Sequence, residues 1–298
     1  MNVASTYSGD SKPSAPKGRW SHWSLAVLGV ELRKVVAYRA DFWINFLGNF
    51  STEFVVAFFL WRAIFASGVQ GSLTSADQTG VQQIGGMTFE QMMLFYLMSP
   101  LLSNIMRGPE MHFISKEIYD GSLSRYIVYP VPFLRFKYVS HFCHGLIACL
   151  QGAALVAIYL AFFDVPGGVN FTSLTFVAGA GTAMLAGVLY FSIAACLEMV
   201  AFWAENVWSL MVMLKYFILL MGGGMLPLAI YPVWAQNTLS WTPFPWLIHF
   251  PIQVALGRVT GGQWLEGTGL LVFWSAVFAL AANWIWRRGS REYTGVGA

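Results

Sequence analysis

The sequence predicts an all-α membrane protein with six transmembrane helices, and three observations support this fold class. Of the 298 residues, 57% are hydrophobic and only 10% are charged, whereas soluble domains carry about 25% charged residues. The apolar residues fall into six long runs. The Lys and Arg residues gather in alternate segments between those runs. The formal net charge of +3 is too small to indicate a nucleic-acid partner.

Each predicted span is one apolar run, because a helix needs roughly 20 apolar residues to cross the hydrocarbon layer. The second run contains Ser99, Pro100 and Asn104. A membrane tolerates such residues in a helix that packs against other helices. The fourth run is longer than a bilayer requires. The predicted spans are Phe42–Ala66, Phe89–Met106, Tyr138–Phe163, Phe171–Phe202, Val207–Ile230 and Trp264–Trp286.

The basic residues predict the orientation of the spans. Of the 17 Lys and Arg residues, six precede the first span, five lie between the second and third, and three follow the last. With six alternating spans, all of these fall on one side. Cytoplasmic segments carry an excess of Lys and Arg. We therefore expect a multi-pass membrane protein with both termini in the cytoplasm.

The segments outside the six-span domain, 42–288, have different expected roles. Residues 1–18 lack the apolar core of a signal peptide and predict a disordered cytoplasmic tail. Residues 19–41 place apolar side chains at helical spacing, with Glu31 towards a more polar side. This pattern predicts an amphipathic helix that lies in the membrane interface. Residues 289–298 predict a second cytoplasmic tail.

A Pro-rich segment, Leu226–Gly257, separates the last two spans. It contains five of the 12 prolines of the chain, and a straight helix does not accommodate that density. It is also too apolar for a solvated loop. We predict short helices that enter the outer leaflet and return, with Trp residues at the interface. These residues are Trp234, Trp241 and Trp246.

The segment between the second and third spans is unusually charged for this chain. Its sequence from Ser115 to Pro132 is SKEIYDGSLSRYIVYPVP. Pro109 is suited to the first turn of a short helix, and Gly121 is suited to its end. An amphipathic helix on a cytoplasmic loop can insert into a groove on another protein. The residues alone leave a solvated connector and a docking helix equally open.

This loop resembles the cytoplasmic loop of bacterial ABC type-2 exporter permeases. The matching residues are Gly121, Leu123, Tyr126, Pro130 and Val131. The entry segment Glu31–Trp43 is also similar to this family, and so is the Pro-rich segment. In the Pro-rich segment the matching residues are Tyr231, Pro232, Trp234, Pro243, Phe244, Pro251 and Gly257.

The resemblance implies a six-span permease subunit that pairs with a second permease, identical or homologous, and with a cytoplasmic ABC ATPase subunit. ATP and Mg would then be bound by the ATPase and not by this chain. The expected cargo is hydrophobic or amphipathic and is exported by ATP-driven alternating access. By motif position, the residues that the resemblance assigns to ATPase coupling are Lys116, Glu117, Ile118, Asp120 and Gly121.

The sequence contains no phosphate-binding loop of its own. The run MGGGMLP, Met221–Pro227, lacks the Lys and Ser/Thr that such a loop needs. It is better explained as a flexible or closely packed helix break. Paired-carboxylate and Ser/His/Asp arrangements also find little support, and Glu198 and Glu205 suit helix caps or flanks. We therefore expect a non-catalytic subunit.

Glu53 and Lys215 are the charges deepest within the predicted spans. An unpaired charge at mid-bilayer costs several kcal/mol on most estimates. We therefore predict that they form an ion pair, within one chain or between two copies. The alternatives are a proton-coupling site at Glu53, which would indicate a secondary carrier, and snorkelling by Lys215. A membrane-embedded enzyme or assembly factor acting on lipid is a third class.

Two further groups of residues are candidates for binding. Met side chains adapt to varied ligands, so a Met-rich surface in the fifth span is a candidate lining for a cargo cavity. His141 and His144 lie near Cys143 but lack further ligands, so we expect ordinary hydrogen-bonded histidines and no metal site. The candidate cavity residues are Met211, Met213, Phe217, Met221 and Met225.

Overall fold

A computed structural model of the protein describes residues 23–37, 39–67, 74–76, 82–107, 113–127, 131–167 and 169–293. The tail predicted over 1–18 and the helix start predicted at Pro109 lie outside these residues. The described residues are predominantly α-helical and include a small antiparallel β-hairpin. This agrees with the predicted all-α class.

The helices and strands follow one another in a simple order. The first half contains α1 (Trp23–Ala37), α2 (Arg39–Ala66), β1 (Thr74–Ala76), β2 (Gln82–Ile84), α3 (Phe89–Arg107), α4 (Ser115–Tyr119) and α5 (Leu123–Ile127). The second half contains α6 (Phe133–Phe162), α7 (Ser173–Glu198), a 3₁₀ turn (Met199–Phe202), α8 (Trp208–Met221), a second 3₁₀ turn (Leu228–Ile230), α9 (Val233–Ser240), α10 (Phe244–Leu247), α11 (His249–Ala255) and α12 (Gly261–Glu292).

Four helices in the described part of the chain are long and apolar enough to cross a membrane: α2, α6, α7 and α12. They correspond to the first, third, fourth and sixth predicted spans. α7 is the most enclosed of the four, because α3, α6, α11 and α12 pack around it. α2 leaves large apolar side chains uncovered, and Val56 and Phe59 are 62% and 64% exposed.

α3 lies where the second span was predicted, but its surroundings are those of a core helix. Its 19 residues pack against α2, α6 and α7, and most of its side chains are buried. The amide of Asn104 donates a hydrogen bond to Oε1 of Gln151 in α6, 3.0 Å away. Polar residues are tolerated in such an enclosed helix because neighbouring helices supply their hydrogen bonds.

The fifth predicted span, Val207–Ile230, is not one continuous helix. α8 has 14 residues and ends at Met221, so it rises only about 21 Å, whereas the hydrocarbon layer is about 30 Å thick. The chain then turns at Gly223, whose φ of 79° lies in a region that glycine enters without strain. The apolar run continues through this turn, and hydropathy alone therefore overestimates the length of the helix.

The Pro-rich segment forms the three short helices α9, α10 and α11. Pro232 immediately precedes α9, and Pro243 immediately precedes α10, where proline breaks no intrahelical hydrogen bond. α11 packs against α7, and Ile252 and Ala255 are fully buried there. The placement of this segment in the outer leaflet stays a prediction.

The N-terminal helix α1 packs against α6 through a buried acid. Glu31 accepts a hydrogen bond from the Ser140 hydroxyl at 3.0 Å and lies 3.4 Å from the His144 ring. The sequence pattern had placed Glu31 towards the polar side, which is wrong for this residue because it faces α6. Leu25 and Leu32 remain exposed, as an interfacial helix requires.

The bundle has two ends. The end that carries α4 and α5 is called the loop end, and the end that carries β1 and β2 is called the hairpin end. At the loop end, α4 and α5 lie beside the start of α6, and the rings of Phe133 and Trp286 stack. At the hairpin end, β1 and β2 precede α3, and Gln91 donates to the backbone oxygen of Gly167 at 2.6 Å. Because α6 has 30 residues, the two ends are about 45 Å apart.

Candidate functional site

The loop formed by residues 113–127 folds as two short helices around a tight turn. α4 ends at the turn, where Gly121 has a φ of 69°, and α5 follows. Ile114, Ile118 and Leu123 point into a small apolar cluster with residues of α6, α7 and α12. Packing of this kind gives the loop a defined position on the long helices.

Glu198, the last residue of α7, holds the beginning of α4. Its Oε2 accepts hydrogen bonds from the backbone N–H groups of Ile114 at 2.6 Å and Ser115 at 3.0 Å. A carboxylate is favourable there because the first N–H groups of a helix have no partner within the helix. Sequence reasoning identified Glu198 as a cap or flank, and the helix that it caps belongs to the loop.

Glu117 connects the loop to α6. Its carboxylate accepts hydrogen bonds from Ser122, from the Tyr126 hydroxyl at 3.0 Å and from the Lys137 ammonium at 3.0 Å. Burial alone would raise the pKa of Glu117, but the hydrogen bonds from Ser122 and Lys137 outweigh it and lower the pKa. The ionised carboxylate is therefore the form that the loop stabilises.

Lys137 is enclosed by aromatic rings as well as by the carboxylate. Its ammonium lies 5.8 Å from the ring centre of Phe113, 5.2 Å from that of Tyr126 and 5.4 Å from that of Phe133. Cation–π contacts at this range are attractive, and more so where water is partly excluded. The lysine therefore joins both parts of the loop to the first turns of α6.

The five residues assigned to coupling by resemblance face in different directions. Lys116 and Asp120 are exposed, whereas Ile118 is only 4% exposed and Glu117 is engaged internally. Gly121 forms the turn. Lys116 and Asp120 are therefore accessible, while Glu117 and Ile118 hold the loop in place; a role of these residues in ATPase coupling stays a prediction. Ser124 and Arg125 are also exposed on α5 and were not singled out from the sequence.

The structure places Glu53 beside Arg107 and not beside Lys215. The Glu53 carboxylate lies 3.9 Å from the Arg107 guanidinium, which joins α2 to the end of α3. No ion pair of Lys215 is found among the described residues, and this lysine is exposed on α8. The pair predicted within one chain is therefore replaced by Glu53–Arg107. A pair between two copies stays a prediction.

The candidate cargo residues of the fifth span lie on or near α8. Met213, Phe217 and Met225 are exposed, Met221 is partly exposed and Met211 is buried. None of them lines the cavity described next. The exposed side of α8 is thus an uncovered apolar surface in a single chain, and its role in cargo binding stays a prediction.

A cavity of about 540 Å³ lies at the hairpin end and was not foreseen from the sequence. It opens between the turn that follows β2, α9, α11 and the start of α12, and is lined by both polar and apolar side chains. Arg258 lies at its edge and donates to Oε1 of Gln91 at 2.7 Å. Burial lowers the pKa of the Arg258 guanidinium below its ordinary value.

The histidines of α6 make ordinary hydrogen bonds. Nε2 of His141 lies 3.0 Å from the backbone oxygen of Met106, and Nδ1 of His144 lies 2.9 Å from that of Ser140. In the described ranges, no group of three or more His, Cys, Asp or Glu side chains is arranged to hold a metal ion. The His141 contact joins α6 to the end of α3, whereas the His144 contact lies within α6.

Comparison with known proteins identifies the family. The sequence profile described as ABC-2 family transporter protein matches residues 52–297. No curated protein and no solved structure matches the chain. The matched range includes the loop, the four long apolar helices except the start of α2, and the Pro-rich segment. The chain belongs to the ABC-2 family of transporter proteins and is a permease with membrane-spanning helices.

Proposed function

We propose that the protein is the permease subunit of an ATP-driven exporter, and that residues 113–127 form the surface on which a separate ATPase subunit docks. One observation carries this proposal. The loop is fixed to α7 by Glu198 and to α6 by Glu117, yet Lys116 and Asp120 remain exposed. A loop that is firmly attached on one side and charged on the other is suited to transmit movement.

The proposed mechanism follows from these attachments. Closure of the ATPase on ATP and Mg would push or pull the loop. Because Glu198 is the last residue of α7 and Lys137 lies in the first turns of α6, the displacement would reach both helices at once. Rigid helices then carry it along the bundle. Exposed charges such as Lys116 and Asp120 contribute specificity and register more than affinity.

The proposed topology keeps six membrane segments. Besides the four long apolar helices, α3 would be an enclosed span, and α8 with the turn and short helices that follow it would complete the set. α1, the loop and the end of α12 all lie at the loop end. With an even number of spans and the basic segments inside, this end would lie in the cytoplasm, at a bacterial plasma membrane.

The second permease, identical or homologous, would cover apolar surface that a single chain leaves exposed. Phe59 of α2 is 64% exposed, and Tyr216 of α8 is 61% exposed. A contact through these helices would bring Glu53 of one copy towards Lys215 of the other, as the sequence-based hypothesis requires. The exposed Met213 and Phe217 would then border a space between copies, which suits a hydrophobic or amphipathic cargo.

The test is association with an ABC ATPase in a co-expressed complex. Charge reversal by Lys116→Glu together with Asp120→Lys should remove the ATPase from the purified complex, while the permease remains folded and monodisperse. Asp164→Lys is the matched control, because Asp164 is an exposed acid at the hairpin end. Retention of the ATPase at the normal ratio by the loop variant would refute docking at this loop. Transport by the purified permease alone would refute ATP-driven export.

A further inference from the structure

We propose that the 540 Å³ cavity at the hairpin end binds the zwitterionic headgroup of a phospholipid, with its phosphate beside Arg258 and its ammonium beside Glu266. The volume is within the range of about 300–1,000 Å³ that is typical of small-molecule sites. The inference deepens the proposed function by naming a ligand class, and it rests on that function for the placement of the hairpin end in the outer leaflet.

The first argument is the pair of opposite charges. Arg258 and Glu266 both line the cavity, but they do not form an ion pair with each other. Among the residues that the structure describes, neither has an oppositely charged partner. Two separated, opposite charges in one cavity are complementary to a ligand that carries both an anion and a cation. A neutral sugar would leave both charges uncompensated, and a simple anion would leave Glu266 uncompensated.

The second argument is the hydrogen-bonding capacity of the lining. A guanidinium has five N–H donors. Arg258 uses one of them in its hydrogen bond to Gln91, so other N–H groups can bind phosphate oxygens. Gln253 also lines the cavity. Nδ1 of His249 is buried without a hydrogen-bond partner within the described structure. Buried polar atoms usually have partners, and a bound headgroup with its water would supply one.

The third argument is the set of aromatic side chains in the Pro-rich segment that contributes to the cavity. Trp246 and Phe250 line the cavity and stack edge to face, with ring centres 5.4 Å apart. α9 also contributes to the lining, and Trp234 on this helix and Trp241 directly after it are 72% and 84% exposed. Exposed Trp side chains collect at the headgroup layer of a membrane. The cavity and these Trp side chains therefore belong to the same Pro-rich part of the bundle, which fits a position at the headgroup layer.

The test measures binding to the isolated permease in detergent, without ATPase. A phosphatidylethanolamine labelled on its acyl chain is the probe, and unlabelled short-chain lipids compete for it. Phosphatidylethanolamine should compete about tenfold or more better than phosphatidylglycerol, which has the phosphate but no ammonium. Glu266→Gln should remove this preference. Arg258→Gln should weaken both lipids, and Arg258→Lys should restore part of the binding.

The controls separate this inference from folding and from the proposed function. Asp164→Asn removes an exposed acid at the same end and should bind as the wild type does. Glu266 is exposed, so its substitution is not expected to disturb folding even if Arg258→Gln does. Equal competition by the two lipids would refute a headgroup site in this cavity. Binding as in wild type by both Glu266→Gln and Arg258→Gln would refute it as well. Equal competition by water-soluble glycerophosphoethanolamine would overturn its assignment to a lipid. None of these results depends on the ATPase.

Discussion

The carboxylate of Glu198 accepts a hydrogen bond of 2.6 Å from the backbone N–H of Ile114, a residue 84 positions earlier in the chain. The contact joins the end of a long membrane helix to the beginning of the loop helix. Both residues are fully buried. Since water cannot replace a buried hydrogen bond at low cost, this contact fixes the loop to α7.

We expect Glu198→Ala to destabilise the protein and to uncouple the loop. The N–H groups of Ile114 and Ser115 would lose their partner, which costs about 1–3 kcal/mol for each unsatisfied buried group. Glu198→Gln keeps one acceptor oxygen and should lose less. Thermal unfolding in detergent measures the first effect, and hydrogen exchange of the loop amides measures the second. The same exchange rates in wild type and Glu198→Ala would contradict the anchoring role.

Glu117 makes a prediction about pH. Its pKa is lowered from 4.5 in the folded protein, so the ionised carboxylate binds the loop more strongly than the protonated one. This contribution is complete above the unfolded pKa of about 4.5 and is lost as the pH falls through the lower, folded pKa. The melting temperature of wild type should therefore exceed that of Glu117→Gln at pH 6, and the difference should shrink below pH 4.5.

The control for this titration is a carboxylate with no role in the loop. The melting temperature of Asp164→Asn, a variant at the hairpin end, should change with pH in the same way as that of wild type. A difference between wild type and Glu117→Gln that stays constant down to pH 3 would mean that the charge of Glu117 does not stabilise the loop.

The sequence was sufficient to place most of the long helices. The predicted third span, Tyr138–Phe163, ends one residue after α6 does, although α6 begins five residues earlier. The agreement arises because a helix that faces lipid must be apolar along its length. The predicted fifth span, Val207–Ile230, is longer than α8 because apolar residues also continue past the end of a helix. Its apolar run continues into Gly222–Gly224, where the backbone turns although the surroundings stay apolar. The glycine run was recognised as a helix break, but hydropathy outweighed it.

The candidate site was only partly predictable. The loop stood out because charges are rare in this chain, and the resemblance suggested the coupling role that is proposed for it. The contacts of Glu198 and Glu31 with distant helices depend on tertiary packing, which periodicity in one segment does not encode. The cavity at the hairpin end combines Met87, His249 and Glu266 from different segments. Only the folded bundle brings such residues together.

The ion pair between Glu53 and Arg107 makes the last prediction. Glu53→Arg should lower the melting temperature of the monomer in detergent, because two cations would then meet between α2 and α3. Adding Arg107→Glu should restore it. If Glu53 pairs with Lys215 of a second copy, adding Lys215→Glu should instead restore only the dimer fraction, measured by light scattering.

Arg62→Glu is the matched control, since Arg62 lies nine residues after Glu53 and on nearly the opposite side of α2. If Arg62→Glu rescued as well as Arg107→Glu did, the effect would come from net charge alone and the specific contact would be wrong.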